Sequence, residues 1–588
     1  MRSAGFSVRR HNGVPTLFHG DRPFPAAAYM TYLEEYARYE DFAKAGYRLF
    51  SFPALCAGKW ISATKGFRPF GKGMFDEAEA DFTGFDASVR RILAACPEAY
   101  LLPRVNLCAP DRWLRTHPEE TDGSGERESL FSEEWRAFAE DMLRRLIAHV
   151  NGSCYRDRIA GYHLAGGDTE EWFHFDRNAG LSPAAEKGFA AFLAKNRPDL
   201  PFAGLPDLSL LNGEGPCHGS PYLAAYLEFA SEAAARAVAR LARTAKETAG
   251  EGVVVGAFYG YALEVPSPLY GTHALQTLLE CDDIDFICSP NSYLGIRGTD
   301  ADWTEMYAAD SVRLHGKLCV QECDIRTHLT KLLCERAPEY DPRRILTAPI
   351  WHGLPDRKTA IAQMRKSFAR QLIKGNGFWW FDMWGGWYDD PALMAEMTRF
   401  CEIYTESLTK PDRGGMAEIA VFIDERAYAR MTDCDRRNAI CGQRGALGHM
   451  GAPYDIYDVS DFPAVYGKYK GVILFTGIAT EGAKAAMDLC SQSGTPYLCN
   501  IGRDPFFSVE ELRTFCGACG THLYADAGDI IYVNAHYVAI HAVTGGTKTL
   551  RFPTATTLRD LLDGALPLTG RRIVFSMEEG ETRLFARD

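Results

Sequence analysis

The sequence has no run of 18 apolar residues, so no segment is expected to span a bilayer as a helix. It has no low-complexity tract and no repeat at a short fixed period, which excludes fibrous and solenoid architectures. It also lacks positive charge. With 64 Lys and Arg against 77 Asp and Glu the net charge is −13, and phosphate-rich surfaces repel such a chain, so neither nucleic acid nor an anionic membrane is expected as a partner. The N-terminal MRSAGFSVRRHNGVP has basic residues with no apolar stretch of roughly 7 to 15 residues behind them, so no secretory signal is expected. Paired zinc-type cysteine spacing is missing too. The 17 cysteines are scattered through apolar contexts such as LFSFPALC and DFICSP, as reduced buried thiols would be, and a cytoplasmic location is expected. Cys516 and Cys519 form a lone CxxC; with no second pair, a metal or thiol site there stays an open alternative.

What is present is a long chain, 588 residues, with 46% hydrophobic and 24% charged residues, too long for a single core. Up to about residue 382, short runs rich in Val, Ile, Phe and Tyr alternate with segments of helical period. Eight such runs read as strands: 25–30, 47–52, 99–107, 158–165, 253–259, 284–289, 317–322 and 377–382. The clearest helical segment is SEEWRAFAEDMLRRLIAHV, in which Trp135, Phe138, Met142, Leu146 and Val150 recur at three and four. Near-continuous apolar strands separated by helices imply a parallel sheet covered on its outer face, and eight such units predict a (β/α)₈ TIM barrel over 1–410. After KPDRGG, the runs EIAVFIDE, KGVILFTG and TPYLCNIG predict a small open α/β domain over 415–523. From DIIYVNAHYVAIHAV the period becomes two, which predicts a small antiparallel β-sandwich over 524–588.

In a TIM barrel, chemistry collects at the C-terminal ends of the strands. There strand four runs into LAGGDTEEWFHF, with Glu170, Glu171 and Trp172, and strand seven ends in KLCVQECD, with Glu322. An acid just past a strand often only caps the next helix, and each taken alone reads that way. Two on one rim, one of them set among apolar residues, are the equipment for cleaving an acetal: one protonates the leaving oxygen while the other attacks the anomeric carbon or activates water. Glu171 with Glu322 is the expected pair, with Glu170 an open competitor for the acid. Extended backbone alternates its side chains, so only one of Glu170 and Glu171 is expected to point inward.

Strand eight delivers GFWWFDMWGGWYDD, and indole rings stack on the apolar faces of sugars. Alternation puts Trp380 and Asp382 on one face, and either Trp380 or Trp384 is expected to floor the pocket. Arg104, Asn106, Tyr259, Asn291 and Tyr293, at other strand ends, supply candidate polar contacts. Tyr259 and Tyr293 read equally well as core tyrosines. Tyr293 is a candidate donor to Glu322.

In the order of its elements the chain resembles the clan A glycoside hydrolases, most closely the family 42 β-galactosidases. PRVNLCAPDRWLRTHPEE resembles their third-strand segment, while TLRDLLDGALPL and EGETRLFARD resemble their last domain. The resemblance covers nearly the whole chain. It implies an acid/base after strand four and a nucleophile after strand seven, a glutamine-amidotransferase-like middle domain that serves assembly, and a small β domain. It also implies an Asn immediately before the acid; here Glu170 stands in that place. The function so predicted is a retaining exo-β-glycosidase, β-galactosidase-like, acting on oligosaccharides or glycosides. No metal or organic cofactor is expected, a small carbohydrate is the expected substrate, and a homo-oligomer, dimer or trimer, is expected. The alternative is a carbohydrate-binding or structural protein on an inactive barrel. An amidotransferase activity is disfavoured because FTGIAT offers no thiol at the strand-to-helix elbow.

Overall fold

The computed structural model describes residues 5–59, 66–68, 70–179, 182–211, 220–294, 297–431, 440–502 and 506–588. The expected eight parallel strands are all present: β1 (Ala27–Met30), β2 (Leu49–Ser51, resuming at Pro53–Leu55), β3 (Tyr100–Leu101, resuming at Arg104–Asn106), β4 (Gly161–Ala165), β5 (Val254–Phe258), β6 (Phe286–Pro290), β7 (Leu318–Cys323) and β8 (Gly377–Phe381). Each pairs with the next, and β8 pairs back onto β1, with Trp380 opposite Tyr29, so the sheet closes into a TIM barrel. Every residue of β4 through β8 is buried, as a sheet lined inside by side chains and outside by helices requires.

The helices follow local signals. Ser132 opens the helix Glu133–Gly152 by accepting the Trp135 amide, and Trp135, Ala139, Met142, Leu146 and Val150 form its buried stripe. The longest helix, Pro221–Ala249, starts with proline in its first turn after Ser220 and buries a ladder of alanines that lets it lie close to its neighbours.

An antiparallel hairpin, Phe6–His11 with Val14–His19, precedes the barrel. Its turn is Asn12-Gly13, both at positive φ, the conformation Asn-Gly favours in two-residue hairpin loops. The hairpin lies near the N-terminal end of the barrel, where the Phe6 amide donates to the Gly252 carbonyl just ahead of β5. The period-based reading did not identify it.

Beyond the barrel, β9 (Ile419–Ile423), β10 (Tyr454–Asp458), β11 (Gly471–Phe475) and β12 (Tyr497–Cys499) form a parallel sheet in the order β10-β9-β11-β12. The chain ends in one five-stranded antiparallel sheet, made of Ile530–Val533, Tyr537–His541, Gly546–Asp560, Leu568–Met577 and Thr582–Arg587, where two facing sheets were expected. A register shift between Arg551 and Thr556 bends its longest strand.

One buried carboxylate ties the three parts together. Asp302, from the barrel, accepts from Arg370 at 3.0 Å, from the Tyr454 hydroxyl on β10 at 2.8 Å and from the Tyr532 hydroxyl in the last sheet at 2.6 Å. Asp302→Ala would leave two buried phenols unpaired and Arg370 with Glu305 alone at 2.6 Å. The expected loss of stability is about 3–5 kcal/mol, the range for breaking a buried charge pair from one side. Calorimetry checks this, and an unchanged unfolding profile would refute it.

Candidate active site

The residues that converge at the C-terminal mouth of the barrel surround a cavity of about 440 Å³. Arg104, where β3 resumes, is its organising charge. It is buried beneath the rings of Tyr32, Phe258, Trp379 and Phe381, and it reaches two carboxylates: Nη2 donates to Glu322 Oε2 at 2.7 Å and Nη1 to Glu170 Oε2 at 3.3 Å. Burial works against the guanidinium charge, but Tyr32, Glu322 and Glu170 outweigh it and raise its pKa further. Glu322, on β7, also accepts the indole N–H of Trp379 at 2.9 Å on the same oxygen. Burial lifts its carboxyl to about 7, with Arg104 pulling down and Asp324 pushing up.

Glu171 faces the same cavity from the loop after β4. Its carboxyl is pushed up to about 8, first by burial and then by the charges of Glu322 and Asp168, while the hydroxyls of Thr169 and Tyr261 pull it down. Thr169 Oγ1 donates to Glu171 Oε2 at 2.5 Å. The loop is tightly wound: the Trp172 amide returns to the Gly166 carbonyl at 2.8 Å, and Thr169, Glu170 and Trp172 all have φ between 60° and 69°. Left-handed backbone at three non-glycine residues out of four costs on the order of 1 kcal/mol each, strain that clusters where geometry serves function.

This winding overturns the alternation expected for Glu170 and Glu171. The backbone is not extended there, and both carboxylates turn toward the barrel mouth. Glu170 is fully buried, held by the Tyr32 hydroxyl at 2.6 Å, by Arg104, and by Asn106 Nδ2 at 3.4 Å. It sits behind the cavity wall that Glu171 lines.

Of the other sequence-predicted residues, Arg104, Tyr293 and Trp384 line the cavity, and Asn106 supports it through Glu170. Tyr293 does not donate to Glu322; its hydroxyl donates to Asp324 at 2.5 Å. Trp172 is wholly buried, packing on Gly166 and edge-on to Trp135, with its indole N–H on the Leu164 carbonyl. Tyr259 is a core tyrosine whose hydroxyl donates to the Ser231 and Gly271 carbonyls. Asn291 is buried and not part of the cavity lining.

Strand eight is turned by one residue from the expectation. Trp379 and Phe381 face inward, whereas Trp380 stacks on Phe400 outside the strand ring and donates to the Tyr47 hydroxyl. Asp382 caps the turn that follows, accepting from the Gly386 and Trp387 amides and the Tyr29 hydroxyl, and burial lifts it to about 6. Sequence reasoning missed Tyr32, Tyr261 and Trp379; only the last lies in a stretch the sequence singles out, GFWWFDMW, where uniform apolarity conceals which tryptophan faces inward.

No protein-family model and no curated protein sequence matches the chain. Solved structures do. A β-galactosidase from Bacillus circulans sp. alkalophilus superposes with a TM-score of 0.63 at 12% identity, covering 96% of this chain and 98% of that one. A catalytic mutant of a family 42 β-galactosidase from G. stearothermophilus gives 0.61 at 10% identity, with 96% and 98% covered. The fold is that of the family 42 β-galactosidases. A family 42 exo-carrageenase from Bacteroides ovatus is also similar, at 0.57 and 10% identity over 99% of this chain and 84% of its own. The shared fold thus extends through the barrel, the parallel sheet that follows it and the C-terminal antiparallel sheet. Among the described residues, no cluster of three or more His, Cys, Asp or Glu is arranged to hold a metal ion. No helix there is long and apolar enough to cross a membrane. Cys516 is a buried free thiol pushed up to about 12, and Cys519 is half-buried and also free.

Proposed function

We propose that the chain is a glycoside hydrolase, a retaining exo-β-glycosidase in which Glu322 is the nucleophile and Glu171 the acid/base. One observation carries the reading: two carboxylates from the ends of β4 and β7 face one cavity, and their surroundings differ in kind. Glu322 rests on a guanidinium and an indole N–H, donors that favour a carboxylate. Both meet Oε2, which leaves Oε1 for the anomeric carbon. Glu171 has no cationic partner among its recorded contacts and is held near pH 8, so it remains a proton donor at neutrality.

In the first step Glu322 attacks the anomeric carbon while Glu171 protonates the departing oxygen. In the second, Glu171 deprotonates a water that displaces Glu322 and releases the sugar. The fold shared with β-galactosidases supports the same reading.

The test is a panel of nitrophenyl β-glycosides of galactose, glucose, fucose, arabinose and mannose, followed by trapping with the 2-fluoro derivative of the best. A covalent adduct on Glu322 is expected. Saturable binding with no turnover and no adduct would instead leave a carbohydrate-binding protein on an inactive barrel.

A pH profile provides a second check. Activity requires Glu322 ionised and Glu171 protonated, so kcat/KM should rise through about pH 7 and fall through about pH 8. The two limbs belong to the coupled pair. Glu171→Ala should remove the falling limb, and for a substrate with a good leaving group it should spare the first step. A falling limb that survives this change would contradict the assignment.

A further inference from the structure

The cavity has a composition unusual for a site meant to hold two sugars. Its floor is polar but largely occupied with itself: Tyr32 donates to Glu170 and accepts from Arg104, Tyr293 donates to Asp324, and Thr169 donates to Glu171. Among the described residues, what remains for the hydroxyls of a ligand is chiefly the carboxylate pair. The outer wall is different. Phe67 and Phe70, after β2, and Ile345, Leu346, Ile350 and Trp351, between β7 and β8, line it, and among the described residues no charged side chain joins them there.

These side chains are half-buried, and the segments that carry them are fastened together. The Arg68 amide donates to the Tyr340 carbonyl at 3.0 Å, and the Phe70 ring meets the Tyr340 ring edge-on at 4.8 Å. Arg326 lies over the Trp351 ring at 4.8 Å and is anchored in turn by Asp324 at 2.9 Å. The apolar wall is therefore a built surface continuous with the carboxylate pair.

A second sugar set against such a wall would lose the hydration of its hydroxyls and gain few partners in exchange. An apolar group there gains instead. We propose that the leaving group accommodated by this site is an apolar aglycone, aryl or alkyl, seated against Phe67, Phe70, Ile345, Leu346, Ile350 and Trp351. The proposal rests on the glycosidase reading and names its substrate class. The bond broken joins the anomeric carbon to the aglycone oxygen, the proton from Glu171 completes the released alcohol, and water completes the sugar.

The test separates binding from turnover. The Glu322→Gln variant is titrated calorimetrically with n-alkyl β-D-galactosides and β-D-glucosides, methyl to heptyl, below micelle formation. Burying each methylene should tighten binding by up to about fourfold, giving up to about three orders of magnitude between methyl and hexyl. Galactobiose and cellobiose should bind no better than the methyl glycosides. Leu346→Asn and Ile350→Asn should flatten the series while leaving the methyl glycoside unchanged. Affinity independent of chain length, a disaccharide that binds more tightly than the hexyl glycoside, or no binding by any member would overturn the proposal. Wild-type hydrolysis of the same compounds reports on the glycosidase reading separately: chain-length dependence without hydrolysis upholds the apolar subsite and sinks the enzyme, and the converse result does the reverse.

Discussion

Glu322→Gln is expected to lower turnover of a nitrophenyl β-glycoside by on the order of 10⁴-fold or more, the scale on which loss of a covalent nucleophile is felt. The amide keeps the size of the carboxylate and can still accept from Arg104 and Trp379, which now meet at 2.7 and 2.9 Å. The fold should survive, for a reason that follows from linkage. Burial raises the folded-state pKa of Glu322 to about 7, above its unfolded value. Its protonated form thus favours the folded state, a contribution complete below the unfolded pKa and lost as pH rises through about 7. A neutral amide has no such loss, so at pH 8 the variant should melt no lower than wild type. Glu322→Ala supplies the chemical signature: azide should enter the vacated space, restore the first step and yield a glycosyl azide of inverted configuration. Wild-type rates in the Gln variant, or rescue that returns only the free sugar, would remove Glu322 from the nucleophile role.

The barrel was legible in the sequence because a parallel strand buried on both faces has no polar register to confuse it. All eight runs stand out, and Glu322 stands out further as a charge inside the apolar LCVQEC. The same uniformity hid the orientation of strand eight. In GFWWF every side chain is apolar, so parity had to be taken from Asp382, and that carboxylate serves the turn after the strand instead of the barrel interior. β10 was missed for the opposite reason: YDIYD mixes tyrosines and acids, and Asp455 serves Lys374 of the barrel, 2.9 Å away, as well as the Tyr469 hydroxyl beside its own sheet. Contacts made across long stretches of sequence, such as Tyr32 to Glu170, leave no local trace at all.

The second large effect concerns Arg104, which one guanidinium's geometry divides between Glu170 and Glu322. Because Glu170 takes part of that charge, Glu322 does not receive all of it. Glu170→Gln should therefore let Arg104 act on Glu322 alone, move the rising limb of the pH profile to lower pH, and slow the covalent step, since a better-stabilised carboxylate is a weaker nucleophile. Arg104→Leu should do the reverse. It leaves two buried carboxylates without their cation, so the limb should move up and the protein should lose about 3–5 kcal/mol of stability, the cost of stranding buried charge. The opposite directions matter more than either size, because a generic disturbance of the site would shift both limbs alike or neither. Measuring kcat/KM against pH for both variants, beside urea unfolding, decides the matter: limbs that move the same way would mean that Glu170 fills space beside the site and does not divide the charge of Arg104.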